Sequence, residues 1–196
     1  MKTLIRALLI LPIPLLVGVL DLGAQDTWIN LVSDPGDNLG QGQTYHIVPP
    51  PGTLSVYAPF PNVIEVDYSY YLEEWQFTFT GAGGAVPTVG VYPNAQRFAG
   101  PNYPGLAVAA DSRGCNTSTG SFEIKQLARG PDGTILSLWA TLEDHCEGMA
   151  PALRGEIRFN TVAAEAIPTL SSYGVFALLV AVGVLGVLLL SGWRIP

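Results

Sequence analysis

Basic residues are scarce. Nine lysines and arginines stand against sixteen aspartates and glutamates in 196 residues, a formal net charge of −7. Between Gln25 and Leu170 the imbalance sharpens to six against fifteen. So little positive surface excludes recognition of a phosphate backbone, and an acidic surface is repelled by anionic lipid headgroups. No nucleic-acid partner is expected. Histidine is rarer still, with only His46 and His145. Zinc takes three or four nitrogen or sulfur ligands, and no CxxC, HExxH or GxSxG spacing is present to supply them or to mark a serine nucleophile. A helical hydrophobic period is also missing between Gln25 and Ile167, which leaves strands to bury the apolar residues of that stretch.

Long apolar runs occur only at the two ends. At the start, Lys2 and Arg6 precede an apolar run from Ala7 to Leu20, and Leu22-Gly23-Ala24 stands before Gln25. This is the pattern of a secretory signal peptide, residues 1–24, cut by signal peptidase between Ala24 and Gln25. The alternative is retention as an anchor, with Pro12 and Pro14 interrupting the run. No cysteine adjoins the cleavage point, which excludes a lipid-modified N-terminus.

At the other end no residue from Leu170 to Trp193 carries a charge. A helix rises about 1.5 Å per residue, so roughly 20 such residues cross a hydrocarbon core of about 30 Å. A transmembrane helix is expected at about 173–193, in contact with membrane lipid, with Tyr173 and Trp193 at the interfaces. Arg194 is the only cation beyond it, which puts the C-terminus in the cytoplasm and the bulk of the chain outside. The alternative, a buried core helix, calls for a polar stripe that this run lacks. The chain thus divides into 1–24, an extracytoplasmic β-domain at 25–166, and a tail at 167–196.

Within the domain the clearest period-2 pattern is in Val63–Tyr70, where Ile64, Val66, Tyr68 and Tyr70 alternate with Glu65, Asp67 and Ser69. Trp75, Phe77 and Phe79 alternate in the same way with Gln76, Thr78 and Thr80. Such alternation marks half-buried strands. Further strands are expected at 28–32, 45–48, 54–57, 86–92, 106–109, 121–127, 135–142 and 154–162. Pro93-Asn94-Ala95-Gln96 reads as a turn after 86–92, and Gly130-Pro131-Asp132-Gly133 is a turn by composition that joins two of these strands as a hairpin. In 135–142 the alternation sets Leu136, Leu138, Ala140 and Leu142 on one face and Trp139 on the other. Many short strands with Gly/Pro turns point to an all-β fold, an antiparallel β-sandwich of jelly-roll-like form.

Cys115 and Cys146 are the only cysteines. In an exported chain an even pair most simply forms one disulfide, worth roughly 3–4 kcal/mol for a loop of about thirty residues in the chain-entropy model. His145 beside Cys146, with Asp144 and Glu147, poses the rival readings of a cysteine nucleophile or a zinc ligand, which need a free thiol. Two oxygen-rich stretches, one with Asp34, Asp37 and Asn38 and one with Glu143, Asp144 and Glu147, offer a calcium site formed by Asp34, Asp37, Asp144 and Glu147. Solvated turns are the default, and no cofactor is expected. Tyr57, Tyr68, Tyr70, Tyr71, Trp75 and Trp139 can be core aromatics or part of a sugar-stacking platform for a glycan ligand. Asn116-Thr117-Ser118 reads as a turn and Glu73-Glu74 as a solvated surface.

Ile167-Pro168-Thr169-Leu170, then Ser171, Tyr173, Gly174, an apolar run and the chain end, resembles the IPTL-type C-terminal sorting signal of Gram-negative bacteria. That signal is similar to the PEP-type tails handled by exosortase-like membrane transpeptidases. The resemblance implies an exported protein held in the inner membrane with its domain in the periplasm, then cleaved near the tetrapeptide and passed to the cell surface. A second resemblance rests on Gly114-Cys115-Asn116, Gly120, Phe122, His145-Cys146-Glu147-Gly148, Gly155, Ile157 and Arg158. These positions are similar to a module of secreted and surface-anchored bacterial proteins, which implies a shared fold and a disulfide and no catalysis. The expectation is a non-enzymatic surface protein, with a carbohydrate- or calcium-binding adhesion module as the alternative.

Overall fold

The computed structural model describes residues 25–162. Ala24 and the stretch 1–24 expected as a signal peptide lie outside the described residues. So does the tail 167–196, with Ile167, Pro168, Thr169, Leu170, Tyr173, Trp193, Arg194 and the expected helix.

The described chain is all-β. In order the strands are β1 (Gln25–Ser33), β2 (Thr44–Ile47), β3 (Thr53–Tyr57), β4 (Val63–Tyr70), β5 (Glu73–Thr80), β6 (Gly90–Gln96), β7 (Gly105–Ala110), β8 (Arg113–Gly114), β9 (Ser118–Arg129), β10 (Ile135–Cys146) and β11 (Leu153–Val162). Among the described residues the single helical turn is Ala82–Gly84, and no helix is long and apolar enough to cross a membrane.

The strands form one sheet in the order β2-β1-β11-β10-β9-β6-β7-β5-β4-β3, with β8 on β7. Every pairing is antiparallel except β6–β7, which touch in parallel at Gln96↔Gly105 alone. The jelly-roll-like sandwich expected above calls for two separate sheets, whereas here the ladder continues through that joint and the sheet curls into a half-barrel. The reason is local. β6 is bulged between Tyr92 and Ala95, with Asn94 at φ 56°, and this turns the strand toward β7. Gly105 completes the joint, since a Cβ there would overlap the Thr80 hydroxyl and the Ala99 backbone.

The curl sets two halves face to face around one core. Ile29 and Leu31 of β1, Leu138 of β10 and Ile157 of β11 pack in the same cluster as Ile64, Val66, Trp75, Phe77 and Phe79 of β4 and β5. Tyr45 of β2 meets Trp75 of β5 edge-on at 5.0 Å between ring centres, and Phe122 of β9 meets Phe79 at 5.1 Å. The two ends of the sheet, β2 and β3, are consecutive in sequence but share no ladder. Pro49-Pro50-Pro51 joins them, and three successive residues without N–H groups cannot start a hairpin.

Several boundaries depart from the sequence expectation. The strand expected at 86–92 is β6 at Gly90–Gln96, so the Pro93–Gln96 stretch expected as a turn is bulged strand. In β10 the ladder to β9 shifts between Ile135 and Ser137 and again between Trp139 and Ala140. Ser137 and Leu138 are therefore both buried while Leu136 is exposed, and the expected single apolar face is broken there.

Gly120 of β9 lies opposite Asp144 of β10. A Cβ at this position would overlap the Glu143 carbonyl oxygen, a backbone atom that moves only with its strand. Gly120→Ala is expected to destabilise the domain by about 1–3 kcal/mol through overpacking, measured by chemical denaturation. Gly133→Ala, in the exposed turn where a Cβ meets nothing within 4 Å, costs only the strain of φ 87° and serves as the reference.

Candidate functional site

The β1–β2 loop, the end of β10 and the start of β11 meet around the disulfide. β10 alternates there, so Asp144 and Cys146 point inward while Glu143 and His145 face outward. Cys146 is bonded to Cys115, with Cα atoms 5.2 Å apart and a separation of 31 positions in sequence. Both sulfurs are engaged, so neither is free as a nucleophile or as a thiolate ligand.

The outward residues form a charged chain. Arg154 bonds Asp34 through Nη1 at 3.0 and 3.1 Å and Glu143 through Nε at 3.0 Å. Glu143 in turn bonds His145 Nε2 at 3.0 Å, and His145 Nδ1 faces the Met149 carbonyl at 3.0 Å. Both ring nitrogens thus face acceptors, which favours the imidazolium. The Glu143 carboxylate raises the His145 pKa above its ordinary value, with the Met149 carbonyl adding to it against burial. Asp34 is held below the usual carboxylate range, first by the Ala152 N–H it accepts at 3.1 Å and then by Arg154.

The four candidate calcium ligands do not share a centre. Asp34 is taken by Arg154. Asp37 is 3% exposed and accepts from Ser33 Oγ at 2.7 Å, Gly40 N at 2.8 Å and Leu39 N at 3.3 Å, so the loop winds around its carboxylate. Glu147, at φ 54°, accepts from Asn116 N at 2.6 Å and Thr117 Oγ1 at 3.1 Å, which lowers its pKa. This also accounts for the Asn116-Thr117-Ser118 turn. Among the described residues no three His, Cys, Asp or Glu side chains gather as a metal-ligand group.

Asp144 stands apart. It is 1% exposed, and neither of its carboxylate oxygens has a hydrogen-bond partner. The neighbouring Ser118 hydroxyl donates to the Leu106 carbonyl at 3.2 Å instead. Burial, with repulsion from Asp37 as a smaller cause, pushes the Asp144 pKa up to about 6.

The candidate sugar platform is dispersed. Tyr68 and Trp75 are buried in the core. Tyr57 lies on the outer face, its hydroxyl 2.7 Å from Glu65 and 2.6 Å from Asp67. Trp139, on the face opposite the buried Leu138 and Ala140, has the Arg158 guanidinium 4.1 Å and the Lys125 ammonium 5.2 Å from its ring centre, and its Nε1 donates to Glu156 at 2.9 Å. Tyr70 and Tyr71 meet edge-on at 4.5 Å at the β4–β5 turn, where Tyr71 is 87% and Leu72 91% exposed.

The chain from Asp34 to His145 was not legible beforehand. Its members lie 120, 11 and 2 residues apart, and only the β1–β11 and β10–β11 ladders bring them together.

Two expectations follow for stability. Replacing both cysteines by alanine lowers it by about 3–4 kcal/mol, read from denaturant midpoints under non-reducing conditions. Asp144 binds its proton more tightly folded than unfolded. Its contribution is therefore full below about pH 4 and is lost as pH rises toward about 6, a change of about 3 kcal/mol at most. His145, also raised, loses its contribution in the same direction at higher pH. Asp144→Asn is expected to melt above the parent at pH 7.5 and to lack the decline between pH 4 and 6. Searches against protein-family models, curated proteins and solved structures returned no match for this chain.

Proposed function

We propose that the chain is an exported, non-enzymatic surface protein whose residues 167–196 act as a sorting and anchoring signal for an exosortase-like transpeptidase. The observation that carries this reading is the pairing of the first and last described strands. Gln25 lies opposite Val162 and Asp26 opposite Thr161. The signal-peptidase junction at Ala24–Gln25 and the tether to the tail therefore leave from the same end of the domain. With the apolar tail in the inner membrane from about residue 173, residues 163–172 span at most about 34 Å at roughly 3.4 Å per residue. The domain then sits in the periplasm close above the bilayer, with the Ile167–Leu170 tetrapeptide between it and the helix. Its two facing half-sheets serve as a rigid, sandwich-like body, pinned at the far end by the disulfide.

A second reading, an adhesion module with a carbohydrate ligand, draws on the exposed Tyr71 and Leu72 at the β4–β5 tip. That tip belongs to the end away from Gln25. Glu74 N donates to Asp111 Oδ1 there, and Arg113 links Asp111 to the Leu39 carbonyl in the loop that follows β1.

The test is the C-terminus of the mature protein, read by intact-mass spectrometry in cells with and without the sorting enzyme. The expected result is a chain ending near Ile167–Leu170 with the enzyme and at Pro196 without it. Pro168→Ala is expected to leave the C-terminus at Pro196 in both. A chain ending at Pro196 in enzyme-containing cells overturns the sorting reading.

A further inference from the structure

The turn joining β9 to β10 brings a cation to an apolar cleft. Gly130 N donates to the Thr134 carbonyl at 2.8 Å, and Gly133 N to the Gly130 carbonyl at 3.0 Å. This fixes Arg129 as the last residue of β9, opposite Ile135. Ile135 is buried, so Arg129 lies on the inner face of the curled sheet, at the end where β3 runs out into Ala58-Pro59-Phe60-Pro61. Between these elements is a cavity of about 580 Å³ whose walls are chiefly Val56, Pro59, Phe60, Val86 and Ile135.

Arg129 has no protein partner for its charge in this cleft. Its Nε and Nη2 are buried without a hydrogen-bond acceptor, and it forms no ion pair among the described residues. Asp132 lines the same cavity, but its Oδ1 accepts from the Thr134 hydroxyl at 2.6 Å and from Thr134 N at 3.1 Å. A guanidinium left unpaired away from water is costly, by several kcal/mol in general. The two unpaired nitrogens are also a particular pair. Nε–H and Nη2–H form one edge of the guanidinium, the edge that meets the two oxygens of a carboxylate side by side. Arg129 lines the cleft, and presenting that edge to an occupant requires a change in its terminal torsions.

We propose that this cleft is a binding site for an apolar monocarboxylate, with Arg129 taking the carboxylate and the Phe60–Val86 wall taking the hydrophobic body. One cation suits a singly charged planar anion. A phosphate or sulfate dianion brings more charge and more acceptor oxygens than the site can meet. The apolar walls with one convergent charged group are the usual make-up of a small-ligand pocket. Two sources carry this chemistry: the C-terminus of a peptide ending in an apolar residue, and a short fatty acid.

The experiment is calorimetric titration of the full chain in lipid nanodiscs, with empty nanodiscs subtracted. The probes are N-acetylphenylalanine and hexanoate, each beside its uncharged primary amide. At least one acid is expected to bind about tenfold or more tightly than its amide, the scale of a charged two-point hydrogen bond. Arg129→Gln is expected to abolish that difference, and the acid that binds more tightly assigns the source. No binding by either acid, equal binding of acid and amide, or unchanged selectivity in Arg129→Gln overturns the proposal. Arg129→Met keeps the aliphatic stem and removes the charge, and without ligand it is expected to melt at or above the parent temperature. A clear fall shows that the guanidinium already has a partner within the folded chain and also overturns the proposal.

Discussion

The pairing of β1 with β11 is the contact on which the domain depends. It joins the first described residues to the last across eight registered Cα pairs, broken only by a shift between Asp26 and Trp28. It gives β1 its place beside the long β9–β10–β11 ladder, and β1 in turn is the only partner of the edge strand β2. It also brings Asp34, at the end of β1, within reach of Arg154 at the start of β11. Because these strands are so far apart in sequence, their pairing must await nearly the whole chain, and non-local ladders of this kind close slowly.

Scarcity of cations shapes how the acids are used. Where a cation is at hand it is shared: Arg154 serves Asp34 and Glu143, and Arg158 serves Asp26 and Glu156 while covering the rings of Trp28 and Trp139. Elsewhere backbone N–H groups and hydroxyls take that role, as at Asp37, Asp132 and Glu147. Such bonds order loops as well as satisfying charge, so the oxygen-rich loops wind around single carboxylates such as Asp37. Asp144 is the exception, and its buried carboxyl gains nothing from either kind of donor.

Much of the fold was legible because the chemistry was local. The Val63–Tyr70 and Trp75–Thr80 alternations, the Gly130–Gly133 turn and the paired cysteines each state a structure within a few residues or by simple pairing. What escaped depends on irregularity or on distance. A bulge moves every later side chain by one, so Ser137 and Leu138 both turn inward, and Trp139 has cation neighbours that no periodicity reveals. Pro93 and Asn94 read as a turn because turns and bulges call for the same residues. The curl of the sheet through a single parallel pair is invisible to composition, and so is the cleft at Arg129, whose walls come from three separate parts of the chain.

The proline link between β2 and β3 gives the molecule a mechanical character. A closed barrel resists opening because its ladder has no end. Here the two edge strands, β2 and β3, have no backbone bond between them. They can part like the lips of a rolled card, losing side-chain contacts such as Tyr45 on Trp75 but not one rung of the ladder. The three longest strands, β9, β10 and β11, lie inside the ladder, so parting of the edges would leave their pairing intact.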